Sequence, residues 1–190
     1  MRLCIFGAAG RTGAVLVRLA LEQGHEVTAF FRKESNASPL GARAVWGELS
    51  SREDIERAIV RADAVLSLYG RRPLRMPGDF APAVSVIIDV MKALGIRRLV
   101  QVTDMVAGGW TIFDSIYGWL LQARFASAVR DRAEQETLVK ESGLDWTIIM
   151  APRLTTNSSI TREDICAAVL DALIAQASIG KRLIVSSPQK

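Results

Sequence analysis

The chain has 190 residues, enough for one domain with a sizeable core, and its 49% hydrophobic and 23% charged content is that of an ordinary globular protein. Its 24 basic and 20 acidic residues leave a net charge of +4 without a long basic run, which argues against a nucleic-acid surface and suits a small anionic ligand. The only histidine is His25 and the two cysteines, Cys4 and Cys166, lie far apart in apolar stretches, which excludes a histidine-based zinc site and points to buried thiols in a reducing, cytoplasmic setting.

In chain order, Leu3 to Phe6 is a short apolar run stopped by glycine and is expected to be a buried strand. Because it runs straight into a glycine loop, the start is not read as a signal peptide. Thr12 to Gln23 places Val15, Leu16, Leu19 and Ala20 on one helical face, with Gly24 as C-cap. Strands are expected at Glu26 to Phe31 and at Ala44 to Trp46. Ser51 to Val60 is expected to be a helix with Ser51 as N-cap and Asp54 in a capping-box position.

Ala64 to Tyr69 reads as a fourth strand, ending at Gly70. A basic, proline-containing loop, Arg71 to Pro82, leads to a helix at Ala83 to Leu94. Arg98 to Thr103, Trp146 to Met150 and Leu183 to Ser186 complete the strands, with a helix at Arg162 to Gln176 between the last two. Arg130, Arg132 and Glu134 read as a solvated helix face. No apolar stretch is long enough to cross a membrane as a helix. The alternation predicts an α/β fold: a single Rossmann-type domain over 1–190, doubly wound, its mainly parallel sheet covered on both faces.

The spacing Gly7-x-x-Gly10-x-x-Gly13 sits between the first strand and the first helix. There, glycines permit a tight turn, a close backbone approach to a pyrophosphate and close helix–strand packing, while helix N–H groups face the phosphates. Gly7, Ala9, Gly10, Arg11, Thr12 and Gly13 are the expected contacts. The end of the second strand, Phe30-Phe31-Arg32-Lys33, lacks the acid that usually receives a ribose 2′-hydroxyl. Arg32 and Lys33, with Arg11, are expected to pair with a 2′-phosphate, making NADP(H) the cofactor. A charge-assisted bond of roughly 1.5–3 kcal/mol corresponds to a roughly ten- to hundredfold preference. The alternative is that both side chains merely solvate the strand end.

With these residues the chain resembles the atypical short-chain dehydrogenase/reductases, in the NAD(P)H-binding group of NmrA-like proteins and biliverdin-IXβ/flavin reductase. Three stretches carry the likeness: Gly7 to Gly13 with Val27 to Arg32; Glu141-Ser142-Gly143-Leu144-Asp145-Trp146-Thr147-Ile148-Ile149-Met150-Ala151-Pro152; and Ile160-Thr161-Arg162-Glu163-Asp164-Ile165. The resemblance implies that Glu48 and Leu49, after Gly47, lie near the adenine. It places Leu68, Tyr69 and Gly70 along the cofactor, Thr103 beside the nicotinamide ribose, and Pro152 near the nicotinamide. Each could instead serve packing or a turn.

The tyrosine–lysine pair of ordinary short-chain dehydrogenases is absent, because Tyr117 is followed four residues later by Leu121 and Tyr69 by Pro73. Asp104 stands where the resemblance leads one to expect serine. It would donate a proton if burial raised its pKa, or it would cap a turn. Thr103, Asp104 and Tyr117 are the candidate catalytic residues. Met105 to Phe125 carries Trp110, Phe113, Tyr117, Trp119 and Phe125, which read either as a wall for a planar substrate or as an apolar face packed in the core or against the partner of a homodimer. The short polar stretch Arg153 to Thr161 implies a minimal substrate region. The reading is an NADPH-dependent reductase of a flavin, quinone or related conjugated small molecule. The alternatives are a non-enzymatic NADP(H)-binding redox sensor and a cofactor-dependent isomerase or tailoring enzyme.

Overall fold

The structure, a computed structural model, describes residues 1–32, 41–68, 80–104, 130–151 and 160–185. In chain order these form β1 (Arg2–Phe6), α1 (Arg11–Glu22), β2 (Glu26–Arg32), β3 (Arg43–Gly47), α2 (Arg52–Ile59), β4 (Ala64–Ser67), α3 (Phe80–Ala93), β5 (Arg98–Asp104), α4 (helical over 130–141), β6 (Asp145–Ala151), α5 (Arg162–Ile174) and β7 (Lys181–Ile184). The seven strands make one sheet in the order β3-β2-β1-β4-β5-β6-β7, every pair parallel. The Rossmann-type doubly wound expectation holds.

Both sheet faces are buried, which is why the strands read as nearly continuous apolar runs. On one face α1 and α5 pack through Leu16, Val17, Ala20, Val169 and Leu173 onto Ile5, Ala29, Leu66 and Val100. On the other, α2, α3 and α4 pack through Ile55, Ile59, Ile87, Met91 and Val139 onto Phe6, Phe30, Val65 and Leu99. Cys166 on α5 donates its thiol to the carbonyl of Thr12 at 3.4 Å and so meets the first turn of α1. Cys4 and Cys166 are both buried free thiols.

Element boundaries differ from the expectation where local chemistry overrides pattern. Helix α3 begins at Phe80 and so contains Pro82. A proline within the first turn sacrifices no intrahelical hydrogen bond, because those N–H groups lack helical partners. Strand β7 starts two residues earlier than expected and α5 stops at Ile174, because a 3-10 turn at Gln176–Ser178 intervenes. Gly24 has the expected role: at φ +78°, with His25 N–H reaching Ala20 O at 3.0 Å, it closes α1 in a Schellman turn. Arg130 and Glu134 are exposed and Arg132 is half-buried, but the opposite side of α4 buries Asp131, Gln135 and Glu136. Among the described residues no helix is long and apolar enough to cross a membrane.

Candidate functional site

Strands β1 and β4 are neighbours in the sheet, but the chain leaves them toward opposite edges, so a crevice opens at their carboxyl ends. The glycine loop occupies that crevice. Gly7 has φ +86°, a left-handed conformation costly for any residue with a Cβ, and a Cβ there would also stand 3.0 Å from Leu68 O at the end of β4. Gly10 N–H donates to Gly7 O at 3.0 Å, closing the turn. A Cβ on Gly13 would collide with Gly7 O and lie 2.8 Å from Ala8 Cα, so only glycine lets α1 start this close to β1. Ala9, Gly10 and Arg11 are exposed, Thr12 is half-buried and Gly13 is buried.

The start of α1 differs from that of its neighbours. Helix α2 has Ser51 as a side-chain cap and Glu53 and Asp54 in its first turn; α5 has Thr161 and then Glu163 and Asp164. Helix α1 is entered through Gly10, with no side-chain cap and no acid in the first turn. Among the described residues no side chain caps its first N–H groups, and a helix start of this kind is electrostatically suited to an anion.

At the end of β2, Arg32 is exposed and has no ion-pair partner among the described residues. Its register partner on β3 is Gly47. Glu48, exposed, and Leu49, half-buried, follow directly, which puts the expected adenine-side residues beside the expected 2′-phosphate residue. On the other side of the crevice, Leu68 follows β4 and Thr103, 7% exposed, lies near the end of β5 opposite Met150. Asp104 is the last residue of β5. Lys33, Tyr69, Gly70, Tyr117, Pro152 and the aromatic segment from 105 to 125 lie outside the described residues.

Two features near these strand ends depart from or go beyond the sequence reading. Gln101, buried, donates to Gln135 at 3.5 Å; Gln135 donates to Asp131 at 2.9 Å; and Asp131 accepts the N–H of Ala81 at 3.1 Å. This polar layer ties β5 to α4 and to the start of α3 next to Thr103. The other is Asp54, whose carboxylate grips Glu48 N–H at 2.9 Å instead of completing a capping box. Neither leaves a periodicity signal, since both consist of polar residues turned inward by partners distant in sequence or in another element.

A family model described as NAD(P)H-binding matches residues 7–181, from the first glycine of the loop to the start of β7. The chain belongs to the NAD(P)H-binding family. The Photosystem II assembly factor Ycf39 of Cyanophora paradoxa is 29% identical over 156 residues, covering 78% of this chain and 44% of that protein; Ycf39 of Guillardia theta is 29% identical over 111 residues, 53% and 34% of the two chains. The chain thus spans less than half the length of these curated relatives. Among solved structures, a short-chain dehydrogenase/reductase from Veillonella parvula in complex with NADP is similar with a TM-score of 0.75 at 16% identity, covering 98% of this chain and 94% of that one. The anaerobillin reductase ChuY from Escherichia coli O157:H7 is similar with a TM-score of 0.76 at 23% identity, covering 100% and 98%. At these identities the structures establish the shared fold.

Proposed function

We propose that this protein is an NADPH-dependent reductase that passes hydride to a flavin, quinone or related conjugated small molecule. The observation that carries the reading is the uncapped, acid-free start of α1 behind Gly7, Gly10 and Gly13, with exposed Arg11 and Arg32 beside it. The amides of Ala9 to Gly13 bind the pyrophosphate. Arg32, with Arg11 and Lys33, pairs with the 2′-phosphate, a charge-assisted contact that NADH does not offer. Glu48 and Leu49 border the adenine.

When bound, the nicotinamide supplies the hydride. The chain's own part is to hold the reacting groups together and exclude water. Leu68, Tyr69 and Gly70 line the cofactor from β4. Thr103, Pro152 and the end of β5 orient its nicotinamide half. Asp104, Thr103 and Tyr117 frame the acceptor, and water supplies the proton to a flavin or quinone. The likeness to a reductase of the same fold supports this reading, as does a family model that begins at Gly7. A second reading, a non-enzymatic NADP(H)-binding sensor that acts through a protein partner, draws support from the likeness to an assembly factor.

The test is NADPH oxidation with FMN, with a panel of quinones and with no acceptor, alongside cofactor affinities. Turnover on an acceptor is expected, with NADPH bound roughly ten- to hundredfold more tightly than NADH and Arg32→Ala removing most of that gap. Tight NADPH binding without turnover on any acceptor favours the sensor. Equal affinity of the wild type for both cofactors overturns the 2′-phosphate assignment.

A further inference from the structure

We propose that Asp54 is a positioning residue for the adenosine end of the cofactor, acting through Gly47 and Glu48. The proposal rests on the reading that Glu48 and Leu49 border that end.

Asp54 is 9% exposed, an unusual place for a carboxylate without dedicated partners. It is the third residue of α2, and Ser51 Oγ accepts its N–H at 3.2 Å, as a capping residue should. The chain contains its own control for what an aspartate at this position does when capping is its only task. In α5 the equivalent Asp164 returns its carboxylate to the N–H of Thr161 at 2.8 Å and completes a capping box. Asp54 does not. The N–H of Ser51 donates to Glu48 O at 3.1 Å, and Asp54 turns toward the strand end. One oxygen accepts Glu48 N–H at 2.9 Å. The other accepts Arg57 at 2.5 Å, and Arg57 also donates to Trp46 O at 3.2 Å.

Helix α2 is thereby latched to both residues that flank Gly47. Gly47 itself has no room for a side chain, because a Cβ there would lie 2.5 Å from Asp54 Cβ and 2.8 Å from its carboxylate. A carboxylate that only capped its helix would need neither the Glu48 contact nor a glycine opposite it. The arrangement gives up half of a capping box and fixes the backbone of Glu48 one residue beyond the register partner of Arg32. The stretch that meets the adenine is in this way held in place before the nucleotide arrives, which lowers the ordering cost of binding.

The test uses the full chain and two half-ligands, adenosine 2′,5′-bisphosphate and reduced nicotinamide mononucleotide, with NADPH as the whole ligand. Asp54→Ala is expected to weaken the bisphosphate and NADPH about tenfold and to leave the mononucleotide within about twofold. Asp54→Asn should recover most of the loss, because its amide oxygen still accepts Glu48 N–H. Asp164→Ala, which removes the equivalent aspartate from α5, should lower thermal stability without altering the affinity ratio of the two half-ligands. Should Asp54→Ala not fold, Gly47→Ala presses on the same contact from the opposite side and should give the same selective loss. Equal weakening of both half-ligands, or no weakening of either, overturns the proposal. A wild type that binds the mononucleotide but not the bisphosphate instead overturns the adenine-side reading, and the role of Asp54 with it.

Discussion

Gly13 sits where the loop leaves no room for a side chain. Its hydrogen occupies the space between α1 and the carbonyl of Gly7, where a methyl group would collide with the loop. Gly13→Ala is expected to cost about 1–3 kcal/mol of stability, the usual range for overpacking a tight contact, and to weaken NADPH more than a loop substitution at exposed Ala9 does. Urea denaturation with a parallel binding titration reads both. This residue was legible in the sequence because its constraint is local: strand, turn and helix start within a dozen residues. The place of Arg32 at a strand end that lacks an acid was legible for the same reason, whereas its pairing with a 2′-phosphate is the proposal above. Asp54 was legible only as a capping candidate. Its carboxylate is claimed by a neighbour outside the helix, and spacing within the helix does not reveal which partner wins.

At the level of elements, α5 is held by a side chain from the middle of the sheet. The C-terminal carbonyls of a helix have no partners within it, and Arg98 on β5 supplies them: its guanidinium donates to Leu173 O at 3.1 Å and to Ala172 O at 2.5 Å. It also reaches Asp145 O at 2.6 Å, Thr147 Oγ1 and Ser178 Oγ. Burial alone pushes this guanidinium below its ordinary pKa, while Asp145 partly offsets the effect. Arg98→Met keeps the aliphatic stem but removes the donor to Leu173 O and one of the two donors to Ala172 O, the other being Ser178 Oγ at 2.8 Å, with an expected loss of about 2–4 kcal/mol. Chemical denaturation should show it with little change in NADPH affinity, since the arginine sits at the opposite end of the strands from the glycine loop. No motif announces this role. An arginine at the start of a strand reads as a solvated end, and only the return of α5 along the sheet converts it into a helix cap. For similar reasons α4 was seen only as a charged surface, although its inner side buries Asp131 and Gln135 in mutual hydrogen bonds.

Across the whole molecule, acid sensitivity follows from carboxylates on separate elements. Asp63, before β4, is held below the usual carboxylate range chiefly by its hydrogen bond from the Arg2 side chain. Asp164, at the start of α5, is held below it chiefly by the backbone N–H of Thr161. Groups whose folded pKa is depressed stabilise the fold above their unfolded value, and that contribution disappears as pH falls through the folded one. Urea midpoints are therefore expected to be level near neutrality and to drop below the ordinary value of 3.8, and Asp63→Asn combined with Asp164→Asn should flatten part of that drop. A drop of equal size in the double variant would assign the acid transition to other groups. The sheet type was foreseeable, because alternating apolar runs and helices demand a covered parallel sheet. The neighbours of each strand were not, since register is decided by which helices cover which face.

The packing of α5 on α1 has a consequence for biosynthesis. Leu16, Val17 and Ala20 on α1 share one core cluster with Val169 and Leu173 on α5, and Cys166 reaches back to Thr12 across 154 positions of sequence. A ribosome delivers the glycine loop well before α5, whose Cys166 meets the first turn of α1. Until α5 leaves the exit tunnel, the part of α1 that meets α5 lacks its cover, so a growing chain holds the glycine-loop sequence before its surroundings are complete. Nucleotide binding is therefore expected to depend on α5, and a chain truncated before Arg162 is expected to expose the apolar side of α1 and to lose affinity for the coenzyme.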